Sequence, residues 1–372
     1  MSVQLDYDSS VKILHLEAGR HFYGGARQVG YLINALAERG VENLLVCPSG
    51  HTLTEQVAAE VFEWNLGGDL DFSLNRRLER LALEQRPDVV HVHSRRGADT
   101  FGGRAAVAAG VPAILTRRVQ SAEPAAWLRL KCRRYQRIVA ISSAVCDELM
   151  HAGVADERLR LIPSAVDTAL FQPDPKARAR LIGHYDLSPD ALIVGSAAQF
   201  IRRKGLDRLL PLAAGLIKAE SRFRLLMFGE GRERLRLERQ VSKLGLEGRV
   251  IFVGFTGEWP ALVPGLDLLL HPARREGLGA VVLEAMSAGV SVIASAVGGI
   301  VDVIEDSVDG RLIAHNAQDD WHQAVLDLLH DPERRRTLGA SARRKVEERF
   351  TIDQMTESYL ELYREIAGNA GG

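Results

Sequence analysis

The strongest constraint on this chain is an alternation of short β-branched runs with segments of helical spacing, and it runs through the sequence twice. In the first pass Val11–Leu16, Leu44–Cys47, Val89–Val92, Pro112–Thr116 and Ile138–Ile141 read as strands. Between them, Val29, Leu32, Ile33 and Leu36 recur at helical spacing. A second helix carrying Leu78, Leu81 and Ala82 should stop at Arg86-Pro87, and a third, Ala105–Ala109, at Gly110. Ser142 or Ser143 is placed to cap the helix after the last of these strands. Strands that alternate with helices in this way build a parallel sheet covered on both faces.

The stretch 162–175, IPSAVDTALFQPDP, breaks the periodicity with three prolines and reads as an interdomain linker. The alternation then restarts with strands at Leu192–Ala197, Phe223–Phe228, Val250–Val253, Leu266–Leu270 and Val290–Ala294. Helices are expected at Arg234–Leu244, Leu278–Ala288, Asp319–Leu329, Arg334–Glu348 and Ile352–Ile366. The segment GLDRLLPLAAGLI reads as a helix interrupted inside by Pro211. A chain of 372 residues exceeds the size at which one core stops growing. The fold class is therefore α/β, with Rossmann-like domains at 1–170 and 171–350 and a terminal helix at 351–372 whose last residues fray.

Composition narrows the function classes. Formal net charge is -1, so nucleic acid is not an expected partner. Cys47, Cys132 and Cys146 are isolated, with neither disulfide nor zinc spacing, which fits a reducing, cytoplasmic compartment. The N-terminal MSVQLDYDSSVKIL lacks a cationic segment followed by an apolar one, so no signal peptide is expected, and no apolar run reaches bilayer length. One local imbalance stands out: Arg117, Arg118, Arg129, Lys131, Arg133, Arg134 and Arg137 face a single acid in their stretch, Glu123. This run reads either as a solvated helix face or as a site for phosphates or an anionic membrane surface.

Gly24 and Gly25 sit between the first strand and the first helix, where backbone can approach an anion at unpaired N–H groups. A tight turn without a ligand has the same composition. The spacing is not that of a dinucleotide fingerprint. His91 and His93 are expected to point to opposite faces of their strand, one buried and one toward the ligand crevice at the sheet's C-terminal edge. No metal is expected, because no carboxylate or cysteine cluster completes a site around them. Arg95 and Arg96 follow directly and suit a phosphate or carboxylate.

The stretch from Ala273, ARREGLGAVVLEAMSAGVSVIASAVGG, places Glu276 in a loop and Glu284 eight residues on within a helix, with Gly298-Gly299 after the next strand. Either carboxylate alone can be structural; together with the glycines they mark a polar pocket. This stretch resembles the retaining glycosyltransferases of the GT-B fold, family 4, a group that includes lipopolysaccharide-core, exopolysaccharide and phosphatidylinositol mannosyl transferases. The resemblance covers nearly the whole chain. It places Glu276 near the donor sugar and Glu284 on the nucleotide ribose. Gly24-Gly25 match the family's first loop, and Lys204-Gly205 its donor-diphosphate motif. His93 matches the histidine near the transferred sugar better than His91 does. The linker motif appears as Pro163-Ser164-Ala165-Val166-Asp167. Three departures stand out: Gln199 replaces an arginine, for which Arg202 or Arg203 can substitute; Ala273 replaces a serine; and Asp302 replaces a glutamate.

The resemblance implies two Rossmann-like domains facing across a cleft, with the C-terminal helix crossing back to the first. Met355, Tyr359, Leu362 and Ile366 give that helix a face to bury. It also implies glycosyl transfer, with retention, from a UDP-, GDP- or ADP-sugar to a glycan or lipid-linked acceptor, and no separate cofactor. His93, Glu276 and Lys204 are the expected catalytic residues. Gly24, Gly25, Arg202, Arg203 and Lys204 are expected at the diphosphate, and Arg95, Arg96, Arg117 and Arg118 at the acceptor. Cell-envelope or lipopolysaccharide synthesis is the implied setting, with the protein peripheral on the cytoplasmic face of the inner membrane. Two other readings share the fold: a sugar-nucleotide epimerase and a non-catalytic sugar-nucleotide-binding partner.

Overall fold

A computed structural model describes residues 11–19, 24–95, 97–120 and 123–369. The chain forms two units. One is built from the residues up to Ser164 together with those from Ile352 onward; the other is Ala165–Thr351. The division falls inside the proline-rich stretch.

The first unit holds seven strands: β1 (Lys12–Leu16), β2 (Glu42–Pro48), β3 (Glu60–Trp64), β4 (Val89–Val92), β5 (Ala113–Arg117), β6 (Arg137–Ala140) and β7 (Leu159–Leu161). They pair in parallel in the order β3-β2-β1-β4-β5-β6-β7. The second unit holds β8 (Leu192–Ala197), β9 (Phe223–Phe228), β10 (Val250–Gly254), β11 (Leu268–His271), β12 (Val292–Ser295) and β13 (Arg311–Ile313). These are also parallel, in the order β10-β9-β8-β11-β12-β13. Central strands are buried along their length, as the apolar runs require: all four residues of β4 and of β11, and all six of β8.

Each sheet reverses its strand order once. In the first, the chain steps outward from β1 to β3, then returns to lay β4 on the other side of β1. In the second, β11 returns to the free side of β8. Loops leaving neighbouring strands at such a reversal diverge to opposite faces and leave a crevice between them.

Three strands lack a sequence signal, β3, β7 and β13, and all three are sheet edges. An edge strand is half solvated and short, so EVFEW, LRL and RLI carry no apolar run. Pro211 does not interrupt a helix. A 3₁₀ turn covers Leu206–Arg208 and the helix proper is Leu209–Ala219. Pro211 therefore lies in the first turn, where its missing N–H has no intrahelical acceptor to lose.

The last helix, Ile352–Asn369, packs on the helix Gly24–Ala37 of the first unit. It buries Met355, Tyr359, Leu362 and Ile366, as their spacing predicts, and also Tyr363. Arg39 clamps its outer side through Asp353 and Glu357 at 2.8 and 2.7 Å. No helix among the described residues is long and apolar enough to cross a membrane.

Candidate functional site

In the second unit the loops after β8 and β11, the strands at the reversal, lock together. Gly205 closes the 3₁₀ turn Arg202–Lys204 with φ 68°. A Cβ there would lie 2.0 Å from the Pro272 carbonyl oxygen, so only glycine lets this turn rest on the loop after β11. The Arg274 N–H donates to the Arg203 carbonyl at 2.8 Å, and the Arg274 guanidinium grips Asp207 and the Arg202 carbonyl. From the other side Gly298, φ 53°, packs so closely that a Cβ would lie 2.0 Å from the Glu276 carbonyl oxygen.

This packing fixes Glu276, which is 8% exposed. The Lys204 ammonium is ion-paired to its Oε2. His271 Nε2 lies 3.0 Å from the same oxygen, the Gly277 N–H donates to Oε1 at 3.1 Å, and Arg203 Nη1 stands 3.8 Å from Oε1. Burial alone would raise this carboxyl, but Lys204 and His271 outweigh it and hold Glu276 well below the usual carboxylate range. Burial pushes His271 down against the pull of Glu276, so the imidazole donates while neutral. Glu284 lies in the helix Ala280–Ser287, is 6% exposed, and accepts the Trp259 indole N–H at 2.8 Å. Of the two arginines in the turn, Arg203 joins the Lys204–Glu276 pair; Arg202 makes no ion pair there among the described residues.

In the first unit the reversal between β1 and β4 gathers imidazoles. His15 and His91 are direct partners in the β1–β4 register. The expectation that His91 and His93 take opposite faces is corrected. Residues two apart in a strand share a face, and these rings lie 3.7 Å apart, both buried. His15 completes the group, with its Nδ1 2.9 Å from His93 Nε2 and its Nε2 3.1 Å from Asn43 Oδ1.

The proton positions in this chain follow from its ends. Arg118 Nη2 can only donate, at 3.3 Å, so His93 Nδ1 accepts. His93 Nε2 then carries the proton and donates to His15, which in turn donates to Asn43. The Asn43 amide donates onward to the Val41 carbonyl at 3.0 Å. His91 is held separately, by the Tyr363 hydroxyl at 2.6 Å and the Thr116 hydroxyl at 2.7 Å, with Tyr359 2.9 Å from Thr116. Burial lowers His91 and His93 well below the ordinary imidazole value and brings His15 down to about 4. The nitrogens of the three rings are close enough to share a metal ion. All six already have hydrogen-bond partners, however, so a cation would have to break this network.

Gly24 and Gly25 open the helix Gly24–Ala37. A Cβ on Gly25 would lie 3.8 Å from Arg118 Cδ, so Gly25, Arg118 and His93 form one neighbourhood. Arg95 is exposed and pairs with Glu123 at 2.7 Å. Arg96 lies outside the described residues. Arg117 is 2% exposed and turned inward to Asp99 at 3.3 Å. Lys131, also buried, bridges Asp99 and Glu123 at 2.5 and 2.6 Å. The basic run is therefore not one surface. Two of its cations are buried and neutralised, Arg137 pairs with Glu365 of the last helix, and Leu128 and Tyr135 are core. Charge counting along the sequence missed this because Asp99 comes from another helix. His15, Asn43, His271 and Trp259 were also missed, although a histidine inside the apolar run VKILHL was a visible signal.

Two family models match. "Glycosyltransferase Family 4" covers residues 22–170 and "Glycosyl transferases group 1" covers 180–345. The lipopolysaccharide core biosynthesis glycosyltransferase LpsE of Rhizobium meliloti is 24% identical over 95% of this chain and 98% of its own length. The D-inositol 3-phosphate glycosyltransferase of Segniliparus rotundus is 29% identical over 61% of this chain; the chain spans about half that relative's length, 52%. Among solved structures, Anabaena HepE in complex with UDP and glucose superposes with a TM-score of 0.85 at 21% identity, covering 95% of this chain and 100% of that one. This last likeness speaks for the fold. With one family model on each Rossmann-like unit, the chain belongs to the GT-B glycosyltransferases of family 4, group 1.

Proposed function

We propose that this chain transfers a glycosyl group from a nucleoside diphosphate sugar to a hydroxyl of a glycan or glycolipid acceptor, with retention at the anomeric carbon. The observation that carries the reading is the buried Lys204–Glu276 pair, flanked by Arg203 and His271 at the β8–β11 reversal. In the proposed reaction the acceptor hydroxyl oxygen bonds to C1 as the C1–O bond to the diphosphate breaks, negative charge develops on the leaving diphosphate, and the diphosphate takes up the hydroxyl proton. Lys204 and Arg203 stabilise that charge, in a place where groups already fixed by packing need no reorganisation. Glu276 stays ionised throughout and accepts hydrogen bonds from sugar hydroxyls, which also compensates it when the diphosphate draws on Lys204. Glu284 accepts from the ribose. In the first unit, His93 accepts from Arg118 and holds that guanidinium beside Gly25, toward the acceptor. The lipopolysaccharide core biosynthesis glycosyltransferase among the relatives supports a cell-envelope acceptor, with the enzyme working in the cytoplasm at the inner face of the membrane.

The test is to incubate purified protein with UDP-, GDP- and ADP-sugars and a glycolipid extract, and to read products by mass spectrometry. An acceptor that gains one glycosyl unit, with the donor's anomeric configuration by NMR, is the expected result. A free epimerised sugar, or no consumption of any donor, would remove the reading.

A further inference from the structure

The first unit has an open pocket of about 520 Å³ beside the helices Ser73–Gln85, Ala98–Ala109 and Ala125–Cys132, a size that holds small ligands. Its floor is ionic and self-satisfied. Asp99 and Glu123 are bridged by Lys131, and Arg95 caps Glu123. Its rim is different. Phe72 is 71% exposed and braced edge-on by Phe101 at 5.7 Å, and Trp127 is 43% exposed. Asp69 and Arg104 line the same mouth, exposed, and neither has a hydrogen bond or ion pair through its side chain among the described residues.

The rim is pre-set. Gly97 takes φ 83°, and a Cβ there would lie 2.4 Å from the Gly68 carbonyl oxygen and 3.2 Å from Asp69 Cα. The Asp69 backbone thus lies against the start of the helix Ala98–Ala109. Asp71 ties the same loop down by accepting from the Gly67 and Leu74 N–H groups and pairing with Arg77.

The charges lining the pocket cancel: Asp69, Asp99 and Glu123 against Arg95, Arg104 and Lys131. A phosphate would meet three carboxylates, and the cations nearest them, Lys131, Arg95 and the buried Arg117, are already paired. Two exposed aromatic side chains that share a lining with an unpaired carboxylate and an unpaired guanidinium suit a ring whose faces are C–H and whose edge is hydroxyl. A pyranose has that shape, and Asp and Arg each bind a vicinal diol through two parallel hydrogen bonds. We propose that this pocket binds an uncharged sugar residue of the acceptor, stacked on Phe72 and Trp127 with its hydroxyls on Asp69 and Arg104. Only the word acceptor rests on the transferase reading; sugar binding rests on the pocket.

Saturation-transfer NMR on the full chain tests it, with the methyl glycosides of glucose, galactose, mannose and N-acetylglucosamine, and with glucose 6-phosphate. At least one neutral glycoside should bind, and its affinity should fall about tenfold or more in Phe72→Ala and in Arg104→Ala, the scale of one lost stacking or charged hydrogen-bond contact. Both residues are exposed, so both variants should fold, and Lys204→Ala in the other unit should leave this binding unchanged. No saturation transfer to any of the four glycosides overturns the proposal. So does binding that survives both Phe72→Ala and Trp127→Ala, or a preference for glucose 6-phosphate that Arg104→Ala abolishes. Nucleotide-sugar consumption, measured on the same preparation, separates the two readings: glycoside binding without consumption removes the transferase and leaves the pocket.

Discussion

The reversal between β1 and β4 gathers His15, His91 and His93 with Thr116 and two tyrosines, while the reversal between β8 and β11 gathers Lys204, Arg203, His271 and Glu276. The two places are equivalent in the fold and opposite in electrostatics. In the first, burial strips the imidazoles of charge, leaving a neutral hydrogen-bonded network with one cation, Arg118, at its end. In the second, a salt bridge survives burial because its carboxylate has three further donors or cations around it. A parallel sheet supplies a crevice at its reversal whatever the side chains are; they decide whether it handles charge or positions neutral groups.

The largest effect should come from breaking the charged site. Lys204→Ala removes the main partner of a buried carboxylate and should cost about 3 kcal/mol of stability. It should also cost about 2–4 kcal/mol of transition-state stabilisation. Urea unfolding and single-turnover donor consumption measure the two. The double variant Lys204→Met with Glu276→Leu should regain most of the stability and none of the turnover. If it regains neither, the pair is not the coupled unit described above.

Acid should sharpen the contrast next. The three histidines of the first unit have folded values below their unfolded 6.5, so the unfolded chain binds more protons. Their contribution is complete above about pH 6.5 and declines as pH falls, for His15 down to about 4. Glu276 has linkage of the same sign in a lower pH window. Its stabilisation is present above its unfolded value of about 4.5 and is lost only as pH falls through its lower folded value. Glu17, whose carboxyl burial raises, offsets part of the first unit's loss. Between pH 6.5 and 4.5 the first unit, with three such histidines against His271 in the second, should therefore weaken more than the second. Trp64 and Trp127 report on one unit and Trp259 and Trp321 on the other, so fluorescence of Trp-to-Phe variants that keep one pair can follow each. Equal loss in both units would break the comparison.

Smaller effects probe single bonds. Tyr363→Phe leaves His91 Nδ1 without its partner in a dry setting and should destabilise by about 1–3 kcal/mol, read by thermal unfolding. Glu284→Gln keeps an oxygen for the Trp259 indole but weakens acceptance from ribose hydroxyls. Calorimetric titration with the nucleoside diphosphates should show about tenfold weaker binding, with thermal stability changed far less. Unchanged affinity would make Glu284 a structural partner of Trp259.

Much of this was legible in the sequence, and the limits have physical causes. The buried runs and their glycine stops located the central strands and most helices, because burial on both faces writes a continuous signal. Edge strands such as RLI write none. Glu276, Glu284 and Lys204 stood out through spacing and resemblance, yet their partners His271 and Trp259 did not, since contact across loops depends on strand order rather than on distance along the chain. The histidines show the point most clearly. VVHVH displays two of them, but His15 joins them only through the β1–β4 register, 76 residues away from His91 in sequence. Two of the seven cations, Arg117 and Lys131, leave the surface for the same reason: Asp99, their buried counter-ion, sits in a helix that precedes them.

The return of the last helix to the first unit also fixes an order of assembly. A nascent chain leaves the ribosome from its N-terminus, and domains tend to fold as they emerge. Here the strands of the first unit emerge long before Tyr359 and Tyr363, which come only after the whole of Ala165–Thr351. Until then His91 Nδ1 lacks its tyrosine and the groove along Gly24–Ala37 lacks its cover. The first unit thus waits, apolar face open, through the synthesis of the second. A chain cut short before Ile352 would stay in that state, a natural target for chaperones and proteases, with His91 still short of its tyrosine.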